Sequence, residues 1–263
     1  HSPLASLRAI PAQRSANTAR GFSWAVSASL SNHFTMENEG EESLLLDGQT
    51  DALTLSLRYG LPQQWDVEVT VPWRHYSGGV TDSLISSWHR LFGLPDGNRH
   101  SYPTDALHYQ LSQPEHDRHL LRSVSGLGDI HVAVSRPLLA IDGGQLGISA
   151  GVKTASGRAS DWLGSGATDI YALLRFSGQQ LGGRPLWWHG QVGGTRAGNS
   201  NLFGPHQRRS LWFAGLAAEW RFTPRWSALM QYDGHSALLD GALEAVGEPA
   251  GMLSMAVRWR PTG

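Results

Sequence analysis

The sequence predicts an all-β protein: a transmembrane antiparallel up-and-down β-barrel of about ten strands, about twelve if one hairpin joins it, with one amphipathic helix in a long extracellular loop. Three observations lead there. Apolar and polar residues alternate at period 2 in nearly every segment bounded by turn signals. The links between these segments alternate long (36–42, 76–124, 158–166, 198–208, 239–249) and mostly short (60–64, 141–144, 177–184, 223–224). Aromatics, namely Trp24, Tyr59, Trp65, Phe176, Trp188, Phe222, Trp226 and Trp259, gather at the short-link ends, as an interfacial girdle would.

Residues 1–20, HSPLASLRAIPAQRSANTAR, have no hydrophobic signal core and are expected to form a periplasmic arm or disordered leader ahead of a barrel spanning 21–263. The first strand sets Phe22, Trp24, Val26, Ala28 and Leu30 against Ser23, Ser27, Ser29 and Ser31. In the second, Leu53, Leu55, Leu57 and Tyr59 oppose Thr54, Ser56 and Arg58. Trp65, Val67, Val69, Val71 and Trp73 then oppose Asp66, Glu68, Thr70 and Arg74.

The insertion 76–124 breaks the period. Within GGVTDSLISSWHRLFGLPDGNR, the residues Leu84, Ile85, Trp88, Leu91 and Phe92 share one face of a helix, with His89 beside them. Thr81 or Asp82 caps its start, and Gly93 with Pro95 ends it. This helix, at 80–93, is expected to restrict the barrel mouth or to lie against the outer leaflet. The run DALHYQLSQPEHDRHLLRSVSG reads as a hairpin around Pro114, and raises the strand count if it enters the membrane.

Alternation resumes afterwards. Ile130, Val132 and Val134 oppose Asp129, His131 and Ser135; Leu146, Ile148, Ala150 and Val152 oppose Ser149 and Lys153; Ile170, Ala172, Leu174 and Phe176 oppose Asp169, Tyr171 and Arg175. In LWFAGLAAEWRF, Trp212, Ala214, Leu216, Ala218, Trp220 and Phe222 form an apolar face, opposite Gly215, Glu219 and Arg221. The last two strands place Trp226, Ala228, Met230 and Tyr232, then Leu253, Met255, Val257 and Trp259, on the apolar side. A soluble β-sandwich or lipocalin-like barrel would turn these faces inward and carry lysine-rich outer faces. This chain has a single lysine, Lys153, and its aromatics lie at strand ends, so the apolar faces are expected to meet lipid.

The segment GGVTDSLISSWHRLFGLPDGNR resembles the most distinctive part of a family of Gram-negative outer-membrane proteins defined only as a domain of unknown function. GLGDIHVAVSRPLL, LGISAGVKTASG and GSGATDIYALLRF are similar to strands of barrels associated with aromatic-compound degradation, which are regarded as uptake channels. The resemblance covers roughly residues 45–260 and implies location in the bacterial outer membrane. It transfers no catalytic residue.

A formal net charge of -1 argues against a nucleic-acid partner, and the absence of cysteine excludes disulfides and cysteine metal sites. The polar faces collect Arg58, Asp66, Glu68, Arg74, Asp129, His131, Lys153, Asp169, Arg175, His189, Glu219, Arg221 and Arg258 in the expected lumen. Both signs are present, as in a structural ion-pair network or a selective polar path in which arginines attract anions. Asp233 and His235 resemble half of the site of the omptin outer-membrane proteases, but the second carboxylate pair has no clear match, with Glu37, Glu39 and Glu41 the nearest acids at that end. Ser236 cannot pair with His235 in a regular strand, because adjacent side chains point apart. His100, His108, His116 and His119 are spaced too loosely to define a metal site, and no cofactor is expected. The expected function is conduction or binding of a small molecule, hydrophobic ones included. The expected partners are membrane lipid, lipopolysaccharide, that solute and the barrel assembly machinery. A hydrolase using Asp233 and His235 and a plugged structural barrel are the alternatives.

Overall fold

The computed structural model describes residues 3–93, 103–141, 143–179 and 183–260. These form thirteen strands: β1 (Phe22–Glu39), β2 (Glu42–Gly60), β3 (Asp66–Ser77), β4 (His108–Gln113), β5 (His116–Leu120), β6 (Val124–Leu127), β7 (His131–Ile141), β8 (Gly144–Lys153), β9 (Asp169–Gln179), β10 (Leu186–Arg196), β11 (Ser210–Arg221), β12 (Trp226–His235) and β13 (Ala250–Trp259). Two helices accompany them, α1 (Asp82–Phe92) and the single-turn α2 (Glu244–Gly247).

All thirteen belong to one antiparallel sheet in the order β13-β12-β11-β10-β9-β8-β7-β3-β2, with β1 on the far side of β2. Without the three short strands β4, β5 and β6, ten remain, and these form the up-and-down meander that the alternation predicts. The hairpin around Pro114 does not lengthen the meander. Its first strand, β4, pairs with Ser43–Asp47 at the far end of β2, while β6 pairs with the same end of β3. The expected loop at 36–42 is also absent, because β1 and β2 run through it to a turn at Gly40, whose φ of 59° suits glycine. The closed barrel is not what the strand order shows. β1 and β13 are the two edges, and among the described residues no pairing joins them.

Burial in this sheet is inverted relative to a soluble protein. Trp212, Leu216 and Trp220 are 50%, 54% and 55% exposed, whereas Asp66, Lys153 and Asp169 on the opposite face are 0% exposed. The polar face is covered by the segment expected to be a free arm or disordered leader. Residues 3–20 lie along it, burying Leu4, Leu7, Arg8, Ala9 and Ala16.

That segment also reports the sheet's curvature. Gln13 hydrogen-bonds Asp233 on β12, while its neighbour Arg14 bonds Ser135 on β7 and pairs with Glu68 on β3. In a flat sheet, six strand spacings of about 4.8 Å would separate β12 from β3 by about 29 Å. Adjacent Cα atoms lie only about 3.8 Å apart, so the sheet is rolled around the segment.

The long connections converge at one end into a hydrophobic core. Leu4 and Leu7 meet Leu44, Leu46, Tyr76, Tyr109, Leu111, Trp162, Leu163, Leu202, Phe203, Leu238, Leu239, Leu243 and Val246. The same connections tie the sheet's two ends together, since Glu37 on β1 accepts backbone N–H bonds from Glu244 and Ala245, and Glu42 accepts one from Ala242. Phe203 is fully buried in this core, so Phe203→Ala is expected to destabilise the fold by about 3–5 kcal/mol through lost burial and a residual cavity. Val80→Ala, at a site 79% exposed, is expected to stay within about 0.5 kcal/mol of wild type. Urea unfolding in detergent micelles, followed by tryptophan fluorescence, measures both.

Candidate functional site

The polar face carries three clusters, stacked from the loop end to the short-turn end. In the first, Lys153 lies 2.7 Å from Asp129 and 3.6 Å from Asp169, and donates to Ser165 Oγ (2.7 Å) and the Ala167 carbonyl (2.8 Å). Asp129 also accepts the backbone N–H groups of Gly157 and Ser165, and Asp169 those of Ala9 and Gly198. One ammonium is thus shared by two carboxylates, and backbone N–H groups supply the rest of their compensation in this buried position. His131 lies beside it, 6.4 Å from the Tyr171 ring. Above it Arg8 packs over the Phe203 ring at 3.7 Å and donates to Gln207. Burial lowers the Arg8 guanidinium to about 10, with Asp169 opposing the shift.

The second cluster occupies the middle. Arg58 contacts Asp66, and Arg14 pairs with Glu68 at 2.9 Å and lies 3.6 Å from Asp66. A chain of hydroxyls continues it: Arg14 donates to Ser135, Ser135 bonds Ser149 at 2.7 Å, and Arg175 donates to Ser149. Arg74 is used differently, donating to the backbone carbonyls of Leu163 and Ser6. Small residues on the sheet admit the inner segment. A Cβ at Gly215 would sit 2.1 Å from Gln13 Nε2, so a larger residue there displaces the end of the Gln13 side chain.

The third cluster lines a cavity of about 570 Å3 at the short-turn end. Glu219 accepts from Arg260 at 2.6 Å, Arg258 at 2.8 Å and Ser227 at 2.7 Å, with Arg221 3.7 Å away. The Arg221 guanidinium stacks on Trp187 at 3.8 Å. His189, Leu229 and Ala217 complete the nearby wall, and Ser15 and Asn17 of the inner segment form the side toward the middle cluster. This is a roomy, mixed polar and apolar cavity, the kind of place where small ligands bind.

The remaining candidates are dispersed. α1 is tethered by Asp82, which accepts from Asn32 on β1 (3.0 Å) and from the Asp105 backbone (2.8 Å). Asn32 shares a strand face with Trp24, Val26 and Leu30, so the helix is held from the apolar side of the sheet. Leu84, Trp88, Leu91 and Phe92 are exposed, with Ile85 and His89 partly covered. The loop core, not this helix, covers the polar interior. Asp233 accepts amide bonds from Gln13 and Gln231, and His235 Nδ1 faces the Ser236 carbonyl. His116 bonds the Leu202 carbonyl, His119 lies on the surface near Asp117, and His100 falls outside the described residues. Among the described residues no three metal-ligating side chains converge.

A family model matches residues 1–260, nearly the whole chain. The chain belongs to DUF3187, a family of proteins of unknown function. No curated protein matches it.

In this DUF3187 protein, the interior residues invisible to strand periodicity are Arg8, Gln13 and Arg14, because they lie on an irregular segment with no face to read. Arg260 is hidden for a different reason: it continues the period of Arg258 just past the end of β13 at Trp259, where the apolar alternation stops. Lys153→Met is expected to leave Asp129 and Asp169 buried without their cation and to cost about 3–5 kcal/mol. Adding Asp169→Asn is expected to recover part of that loss. Urea midpoints of the single and double variants measure the coupling.

Proposed function

We propose that this protein is a bacterial outer-membrane β-barrel that binds and passes a small molecule by way of the cavity at its short-turn end, with residues 3–20 as an internal plug. The observation that carries this reading is the inverted burial: large apolar side chains are exposed along one face of the meander, and the charges are buried on the other. Water would penalise that arrangement severely, whereas lipid reverses the sign. Strand length agrees. β7 to β13 are 10–12 residues long, close to the ~9–11 that a tilted strand needs to cross a bilayer.

On this reading β1 pairs with β13 in the membrane, since open edges are not tolerated in hydrocarbon. The apolar face contacts membrane lipid and, in the outer leaflet, lipopolysaccharide; insertion is the task of the barrel assembly machinery. α1 then lies on the outer side of the wall, with Leu84, Trp88, Leu91 and Phe92 available to the outer leaflet. A permanently plugged structural barrel is the second reading, favoured by the filled interior. It differs in having no saturable ligand.

Two expected outcomes test the proposal. Refolded into vesicles of brominated lipid, the protein is expected to show strong quenching of its exposed Trp24, Trp212, Trp220 and Trp259, and heat-modifiable gel mobility. Unquenched fluorescence, with a folded monomer that needs no detergent, would overturn the membrane assignment. In planar bilayers, the wild type is expected to be nearly silent, while deletion of residues 3–19 opens discrete conductance steps and Gly215→Val, which displaces the Gln13 side chain, opens smaller ones. Silence in both variants, with heat-modifiable mobility retained, would sink the plug assignment.

A further inference from the structure

We propose that the cavity at the short-turn end is an oxyanion-binding site, taking a molecule with a phosphate or carboxylate head on an apolar body. This rests on the reading of that cavity as the ligand site and names the ligand's class.

A charge surplus beside open space singles out this cluster. Among the described lining residues, Arg221, Arg258 and Arg260 face one acid, Glu219, so three positive charges less one negative leave an excess of two. The other interior cations, Arg8 and Arg175 included, do not line this cavity. Lys153 has two aspartates, Arg14 and Arg58 have Asp66 and Glu68, and Arg74 has two carbonyls. Glu219 accepts hydrogen bonds from Ser227, Arg258 and Arg260 and meets Arg221 only as an ion pair at 3.7 Å, so one carboxylate is shared among three guanidinium groups. Arg221 Nε is buried and makes no hydrogen bond to any described residue. The Arg221 Cζ sits 3.8 Å over the Trp187 ring, a cation–π contact that holds the group at the cavity wall.

A planar guanidinium presents paired donors that match the spacing of carboxylate or phosphate oxygens, and three of them around one opening form a receptor for such a head. The rest of the wall sets the body. Trp187, Leu229 and Ala217 offer apolar surface beside the arginines, and about 570 Å3 holds a molecule of moderate size. Glu219 then acts as the internal counter-ion that keeps the arginines apart when the site is empty. A ligand of this chemistry reaches the short-turn end either as a soluble anion or as the headgroup of an anionic phospholipid.

The test is titration calorimetry of the full chain in dodecyl maltoside micelles, with octyl phosphate as the probe, octyl glucoside as the uncharged control and inorganic phosphate as competitor. Octyl phosphate is expected to bind saturably, to be displaced by phosphate and to weaken as salt rises. Arg258→Gln with Arg260→Gln is expected to weaken it about tenfold or more, and the paired lysine variants to retain most of it. Glu219→Gln, which raises the local excess charge, is expected to tighten binding several-fold. Equal binding of octyl glucoside, or an affinity unmoved by the glutamine pair, would overturn the assignment. Dioctanoyl phosphatidylglycerol binding more tightly than octyl phosphate identifies a lipid source, and binding more weakly a soluble one. Heat-modifiable mobility and bromolipid quenching of each variant report separately on the barrel. If both persist and octyl phosphate does not bind, the oxyanion assignment fails alone.

Discussion

Everything in this fold depends on how a rolled sheet satisfies its own polar face. Asp66 and Asp169 are buried completely, and an isolated carboxylate in such a position would cost several kcal/mol. Cross-strand neighbours supply part of the compensation, through Arg58 and Lys153. The remainder comes from outside the strands. Ala19 donates its backbone N–H to Asp66, and Ala9 donates its own to Asp169, so the two ends of one irregular segment close the two deepest clusters. The segment's own polar backbone is satisfied in exchange, with the Pro11 carbonyl accepting from Gln191 and the Ala9 carbonyl from Thr195. Segment and sheet are therefore complementary, each satisfying polar groups of the other.

That complementarity is uneven along the axis, and the unevenness locates the cavity. At the loop end, hydrophobic residues from the long connections seal over Leu4 and Leu7 and leave no open space there. In the middle, the Arg14 and Arg58 pairs consume the available acids. By Asn17 the segment has turned toward β2, where Arg58 holds its carbonyl, and it leaves the side formed by β10 to β13 unfilled. The charge that remains there is positive because three arginines gather on one glutamate. Space and charge excess coincide because the same missing filler produces both.

The sequence shows the meander and its two faces because each strand's choice of face is local. Trp212 to Phe222 alternate without reference to anything distant, and the strands fall as expected. The partner of the polar face is not local. Arg14 reaches Ser135, 121 residues away, and Gln13 reaches Asp233, 220 residues away, so no spacing within residues 1–20 could announce that they lie inside. Residues 36–42 read as a loop from sequence, yet strand pairing runs to Glu39 and resumes at Glu42 around a tight turn, with the β12–β13 connection donating backbone N–H groups to Glu37 and Glu42. The residues of the third cluster were individually legible, apart from Arg260. Their surplus of charge was not, since it depends on which acids the inner segment has already taken.

The two sheet edges connect the membrane reading to that cavity. β1 has 18 residues and β13 has 10, so complete pairing leaves 8 residues of β1 without a β13 partner. Glu37, near the end of β1, is already bound by the β12–β13 connection, which covers that surplus from the loop end. The stretch left for β13 is the other end of β1, where residues 22–31 are exposed on both faces and the polar side carries Ser23, Ser27 and Ser29. In an even-numbered meander β1 and β13 run antiparallel, which closure on this reading requires. Arg258 lies on β13 and Arg260 just beyond it, so pairing at this seam sets the serine face beside the arginine cluster. On this reading, closing the barrel in lipid and completing the wall of the binding cavity are the same event.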